Sequence, residues 1–113
     1  MLSNVVRFSY SISAPNARYS DHMGIAFDEA IAQGPIEIVT GTTDSQLALG
    51  GTGTVNFFFL LSDQEITINL EASTGTDITV LANRPFIASR ITGVWVSNSS
   101  GSTANIVYYA AGT

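Results

Sequence analysis

The sequence predicts an all-β fold: an antiparallel β-sandwich of jelly-roll type with eight to nine strands, in a single domain over residues 1–113. Apolar and polar side chains alternate over short stretches, as in strands with one buried face. Turn residues separate these stretches at short intervals. The polar residues are mainly Ser, Thr, Asn and Gly, which favour extended chain and turns over helix.

The N-terminal third predicts a long hairpin. In residues 3–13 the side chains Val6, Phe8, Tyr10 and Ile12 alternate with polar ones, which indicates a half-buried strand. Residues 14–17 (APNA) form a predicted turn, because Pro presets φ and Asn tolerates a left-handed backbone. Residues 20–33 fit either strand or helix spacing. The favoured interpretation is a strand over 17–27 and at most one helical turn over 28–33, ended by Gly34–Pro35.

The rest of the chain predicts short strands joined by turns. Residues 35–41 form a predicted strand with Ile36 and Ile38 on one face, and residues 42–46 (TTDSQ) a predicted loop. Leu47 and Leu49 share a face and are followed by a predicted glycine-rich turn at residues 50–53. A further loop is predicted at residues 71–75. The other predicted strands are 55–61, 64–70, 76–82, a short one in 85–89, 91–98 and 103–112. Tight hairpins are predicted at Ser62–Asp63 and at residues 98–102.

The charge of the chain excludes some classes of partner. The net charge is −5 and the four basic residues are scattered arginines, whereas nucleic-acid binding needs clustered cations. No apolar stretch reaches the roughly 20 residues of a membrane-spanning helix. The N-terminus lacks the basic and apolar segments of a signal peptide, so synthesis in the cytoplasm is expected.

Candidate catalytic and metal-binding residues are few. The chain has no cysteine, and its only histidine, His22, lies in no metal-ligand spacing. The acidic pairs Asp28/Glu29 and Asp63/Glu65 are explained by solvated turns and strand ends. The glycine-rich segment 50–54 has no Lys and no following helix, so it is not a phosphate loop. We expect neither enzymatic activity nor a metal or other cofactor.

The stretch TVNFFFLL carries the main hypothesis about interactions. Residues 57–61 are apolar on both faces of a predicted strand, so both faces need cover. The cover is either the protein's own N-terminal hairpin or a second subunit, and the pattern does not decide between them. The candidate interface residues are Phe57, Phe58, Phe59, Leu60, Trp95, Tyr108 and Tyr109.

Two segments of the chain resemble small virion proteins of tailed bacteriophages. These segments are LALGGTGTVNFFFLLSDQEITINL and the C-terminal ITGVWVSNSSGSTANIVYYAAGT, and the opening RFSYSIS looks like the first strand of such proteins. The positions that carry the resemblance are Leu47, Leu49, Gly50, Ser62, Asp63, Gln64, Ile66 and residues 98–104. Residues 28–33 depart from the pattern.

The resemblance implies a non-enzymatic virion component, with a capsid decoration (cement) protein as the leading hypothesis. Its expected partners are copies of itself, in a homo-oligomer such as a trimer, and other virion proteins such as the major capsid protein. A protein of the tail, neck or fibre is the nearest alternative. A carbohydrate-binding β-sandwich is a further alternative, in which the aromatic side chains that stack on sugars would be Trp95, Tyr108, Tyr109 and Tyr19.

Overall fold

The computed structural model describes residues 4–27, 29–49, 54–70 and 76–112, and this part of the chain is all-β, as predicted. It contains ten strands and an isolated β-bridge between Val55 and Ile91, so the predicted eight to nine strands are too few. The strands are β1 Asn4–Ala14, β2 Ala17–Phe27, β3 Glu29–Ile38, β4 Thr42–Gln46, β5 Val55–Ser62, β6 Ile66–Asn69, β7 Ile78–Val80, β8 Phe86–Ala88, β9 Trp95–Asn98 and β10 Ala104–Gly112. The described residues include no helix long and apolar enough to cross a membrane.

Strands β3 to β10 form a jelly roll, which confirms the predicted sandwich. Sheet I has the order β3-β10-β5-β8 and sheet II the order β4-β9-β6-β7, with all neighbours antiparallel. The strands pair from the outside inward: β3 with β10, β4 with β9, β5 with β8 and β6 with β7. This nested pairing, split over two sheets, is the jelly-roll topology.

Both predicted hairpin loops of the sandwich are wrong. The segment after Ser62 leads from β5 in sheet I to β6 in sheet II, and residues 98–102 lead from β9 in sheet II to β10 in sheet I. Neither pair of consecutive strands is hydrogen-bonded together. The turn residues mark the reversals correctly, but each reversal crosses between sheets because the pairing partners lie far apart in sequence.

The predicted helical turn over 28–33 is also wrong for its described residues, 29–33. They belong to β3, where Ile31 pairs with Ala110 and Ala32 with Tyr109. Gly34 and Pro35, joined by a cis peptide bond, lie opposite the single residue Val107 in a β-bulge. Pairing with β10 overrides the helical spacing of the apolar residues, and Asp28 lies outside the described residues.

Residues 42–46, predicted as a loop, form strand β4 against β9. The strand is polar and largely exposed, so its pattern contains no inward apolar signal. The face predicted for Leu47 and Leu49 agrees with the structure, because Leu47 is buried and Leu49 packs against the core. The predicted glycine-rich turn at 50–53 and the predicted loop at 71–75 lie outside the described residues.

The hydrophobic core lies between the two sheets. Sheet I contributes Phe58, Leu60 and Ile106, and sheet II contributes Ile68 and Val96. All five side chains are buried. One face of each sheet is therefore buried in the core, and the outer faces determine what the molecule can bind.

Strands β1 and β2 form a separate two-stranded sheet, a hairpin that leaves the sandwich. Its register runs without interruption from Asn4 opposite Phe27 to Ala14 opposite Ala17, which confirms the predicted turn. Every residue from 11 to 18 is exposed. The radius of gyration of 14.9 Å exceeds the roughly 13 Å of a compact chain of this length, consistent with a projecting hairpin.

Candidate interaction surface on the outer face of sheet I

Strand β5 divides its apolar residues between the core and the outer face of sheet I. Phe58 and Leu60 belong to the core cluster, and alternation places Phe57 and Phe59 on the opposite face. A bulge near Asn56 sets Val55 opposite Gly112 and Phe57 opposite Ala111, which explains why Val55 also reaches the core. The FFFLL run is therefore apolar on both faces because it belongs to two different surfaces.

Neighbouring strands continue the apolar surface. Phe59 lies opposite Tyr109 of β10 and opposite Ile87 of β8, and Leu61 lies opposite Val107. Residues directly opposite each other share a face of a sheet. Ile87 is 46% exposed and the other four are half-buried, so these five residues form a partly open apolar surface, here called the apolar stripe.

The protein's own hairpin covers one end of this outer face. The ring of Phe8 lies 5.5 Å from that of Phe57, and Phe57 lies 6.5 Å from Tyr109. Phe57 is consequently only 6% exposed. Of the two covers left open by the sequence, the N-terminal hairpin thus covers Phe57, whereas Phe59 and Leu61 remain partly accessible within one chain.

Three of the predicted interface residues lie in the core instead. Phe58, Leu60 and Tyr108 are buried between the sheets, because alternation turns them away from the outer face. The Tyr108 hydroxyl donates a hydrogen bond of 2.6 Å to the carbonyl of Ala48, and burial raises the pKa of this tyrosine. The predicted set is therefore not one surface, because only Phe57, Phe59 and Tyr109 lie on the outer face of sheet I.

Trp95, the remaining predicted residue, lies in sheet II. It is half-buried and stands between Gln46 of β4 and Asn69 of β6. A Cβ atom on Gly93 would lie 2.6 Å from the indole Cη2, so the ring rests directly on that glycine. The outer face of sheet II thus has one aromatic ring among polar neighbours.

A β-bulge places the carboxylate of Asp44 beside Ser97, two residues along β9 from Trp95. The register between β4 and β9 shifts between Thr42 and Ser45, and Asp44 has a left-handed φ of 48°. The Asp44 amide donates to Ser97 Oγ at 2.8 Å, and Ser97 Oγ donates to Asp44 Oδ1 at 3.4 Å. Sequence reasoning missed this pair, since an alternation pattern does not reveal a bulge.

Other polar groups secure the loops that cross between the sheets. Asn98 is buried and its Nδ2 donates to the carbonyls of Ile38 at 2.7 Å and Ser102 at 2.9 Å. Asn105 donates two hydrogen bonds to the Asp63 carboxylate, one from its backbone N–H at 2.8 Å and one from its side-chain Nδ2 at 3.0 Å. These hydrogen bonds lower the pKa of Asp63. Over the ranges that the structure describes, no three His, Asp or Glu side chains are grouped as metal ligands.

The chain was also compared with known proteins. No protein-family model, curated protein or solved structure matches it. Its function is therefore inferred from the two outer faces of the sandwich, the hairpin and the distribution of charge.

Proposed function

We propose that this protein is a non-enzymatic structural component of a bacteriophage virion, a capsid decoration protein that acts as a homo-oligomer. The observation that carries the proposal is the apolar stripe, which remains partly open in the single chain. Fully burying one such side chain contributes about 1.5–3 kcal/mol. Burying the exposed part of five such side chains on one face favours association with another protein surface over exposure to water.

The composition and architecture support the same proposal. Charged residues make up only 12% of the chain, so few charged side chains keep its surface from associating with other protein surfaces. Jelly rolls are common in viral capsid proteins, although the fold is shared with lectins and does not decide the function. The resemblance of the segments around residues 47–70 and 91–113 to phage virion proteins points to a particle rather than to another assembly.

Self-association is tested by size-exclusion chromatography with light scattering on the purified chain over a wide concentration range. We expect a discrete homo-oligomer. Ile87→Glu, which places a charge on the stripe, should shift the mass toward the monomer. The matched control is Leu81→Glu, because Leu81 is 53% exposed but lies outside the stripe. A wild-type chain that stays monomeric at every concentration would contradict the proposal.

The position on the particle is tested by electron microscopy of purified phage particles whose genome encodes the chain. A decoration protein appears as regularly repeated density on the outside of the shell. Density at the neck, tail or fibre would instead support the alternative virion roles. Absence of the chain from the particles, checked by mass spectrometry, would refute a virion role altogether.

Carbohydrate binding is a second candidate function, favoured by the environment of Trp95. The half-buried indole lies on a polar outer face, near the Asp44–Ser97 pair, and aromatic rings with adjacent polar groups suit sugar recognition. Trp95→Ala should abolish binding on a glycan array while the fold is retained. Tyr109→Ala, on the opposite face, is the control. Binding that survives Trp95→Ala would exclude this site.

A further inference from the structure

The hairpin tip, residues 11–18, is left uncovered by the described part of the chain. All of its residues are exposed, and Ile12 is 56% exposed. A two-stranded ribbon without a packing partner is only marginally stable in water. The tip is therefore open to a contact with another chain, whereas the base of the hairpin packs on Phe57.

The base of the hairpin shows which kind of surface this ribbon packs on. Phe8 packs on Phe57, on the outer face of sheet I, and stacks on Tyr10 at 5.9 Å. Because side chains two apart in a strand share a face, Ile12 continues the apolar face that Phe8 begins. The same outer face continues from Phe57 into the apolar stripe through Tyr109. The hairpin and the stripe therefore both extend beyond Phe57, which contacts Phe8 on one side and Tyr109 on the other.

Charge is also divided between hairpin and sandwich. Residues 4–27 contain Arg7 and Arg18 against the single acid Asp21, a net charge of +1 with His22 neutral. The remainder of the chain has Arg84 and Arg90 against eight acids, a net charge of −6. A hairpin approaching the sandwich of another copy is therefore attracted, whereas two sandwiches facing each other repel.

We propose that the hairpin tip of one copy docks on the apolar stripe of a second copy, with Ile12 as the apolar anchor. This inference rests on the proposed self-association and specifies how it occurs. A contact between two different patches is heterologous, and its repetition forms a ring such as a trimer where the rotation between copies closes, or an open filament where it does not. It differs from a face-to-face dimer, in which the stripe of one copy covers the stripe of another.

Two single variants separate these arrangements. Ile12→Glu disables the tip and Ile87→Glu disables the stripe. Each should raise the dissociation constant of the homo-oligomer by roughly 10- to 100-fold, since each places a charge where the docked arrangement buries an isoleucine. The matched controls are Val39→Glu, at 58% exposure, and Leu81→Glu, at 53%, which introduce the same charge elsewhere. Circular dichroism and thermal unfolding are used to check that all four variants fold.

The deciding measurement is light scattering of the two disabled variants, separately and mixed in equal amounts. We expect monomers separately and a dimer in the mixture, because the intact tip of Ile87→Glu docks on the intact stripe of Ile12→Glu. A mixture that stays monomeric, or an Ile12→Glu variant that assembles like the wild type, overturns tip-to-stripe docking and leaves the proposed self-association standing. A monomeric wild-type chain overturns both.

Discussion

The outer faces of the two sheets differ although both sheets have four strands and share one core. On sheet I the outward positions of the two central strands include Phe59, Leu61 and Tyr109. On sheet II the corresponding central strands carry Thr67, Trp95 and Ser97. Removing the apolar face of sheet I from water costs little free energy, whereas the polar groups of sheet II need hydrogen-bond partners when they are buried. One sandwich thus has a side suited to protein contacts and a side suited to water or polar ligands.

The largest expected effect comes from removing the aromatic ring that joins the hairpin to sheet I. Phe57→Ala should lower the free energy of unfolding by about 3 kcal/mol, because Phe57 is buried under Phe8. Amide hydrogen exchange in β1 and β2 should accelerate as the hairpin loses its attachment. Denaturant unfolding and exchange mass spectrometry measure the two effects.

The matched variant on sheet II is Trp95→Ala, which removes a larger but less buried ring. Trp95→Ala should lower the free energy of unfolding by less than Phe57→Ala does. It should leave amide hydrogen exchange in β1 and β2 unchanged. If Trp95→Ala were the more destabilising of the two, or if it released the hairpin, the assignment of the hairpin to sheet I would be wrong.

A smaller effect is expected at the bulge beside the apolar stripe. A Cβ on Gly34 would lie 2.5 Å from Val107 Cγ1, and the φ of +154° at Gly34 disfavours other residues. Gly34→Ala should therefore cost about 2 kcal/mol, within the usual range for overpacking. Thermal unfolding of the variant measures the loss. An unchanged midpoint would show that β3 and β10 separate there without cost.

Alternation in the sequence predicted the faces of single strands well. Ile36 and Ile38 point toward the core and Val39 away from it, as the pattern of residues 35–41 indicated. The sequence pattern gave wrong predictions where pairing with a distant strand decides the local structure. Ala30 and Ile31 have helical spacing, but β10 holds them in a strand, and the polar residues 42–46 become a strand only because β9 lies beside them.

The candidate surface could be predicted only in part. The FFFLL run indicated two apolar faces, yet an uninterrupted apolar run does not reveal which residues face the core. The structure resolves this by assigning Phe58 and Leu60 to the core and Phe59 to the stripe. The pairing of Asp44 with Ser97 across 53 positions could not be foreseen, because it depends on a bulge and on the non-local pairing of β4 with β9.

On sheet II the counterpart of the Gly34 variant is Gly93→Ala. The added methyl group would lie 2.6 Å from Trp95 Cη2, and the ring can tilt into solvent to make room. We expect a loss of about 1 kcal/mol, smaller than at Gly34, where the obstructing atoms include the backbone of Val107. Trp95 is the only tryptophan, so its emission maximum should shift to longer wavelength as the ring becomes wetter. An unchanged emission maximum would contradict this packing.

The smallest expected effect lies in the loop that leads from sheet I to sheet II. Asp63 accepts two hydrogen bonds from Asn105, the larger effect coming from the side-chain amide, and its pKa lies below the ordinary 3.8. A carboxyl group with a lowered pKa in the folded state stabilises the protein above its ordinary pKa. This contribution is lost as the pH falls from about 4 through the folded-state pKa. Asp63→Asn should therefore reduce the loss of stability in acid. It should leave the dependence of stability on pH near neutrality unchanged.

The matched variant Asn105→Ala keeps the carboxylate and removes its strongest hydrogen-bond donor, so the pKa of Asp63 should rise toward 3.8. An NMR titration of the Asp63 carboxyl carbon measures that pKa directly, and acid unfolding curves measure the consequence. Because Asp63 is exposed, the shift in stability should be small and should leave both outer faces unaltered. If Asn105→Ala changed the mass of the proposed oligomer, this loop would belong to the interface, and the proposed assignment of assembly to the outer face of sheet I would be wrong.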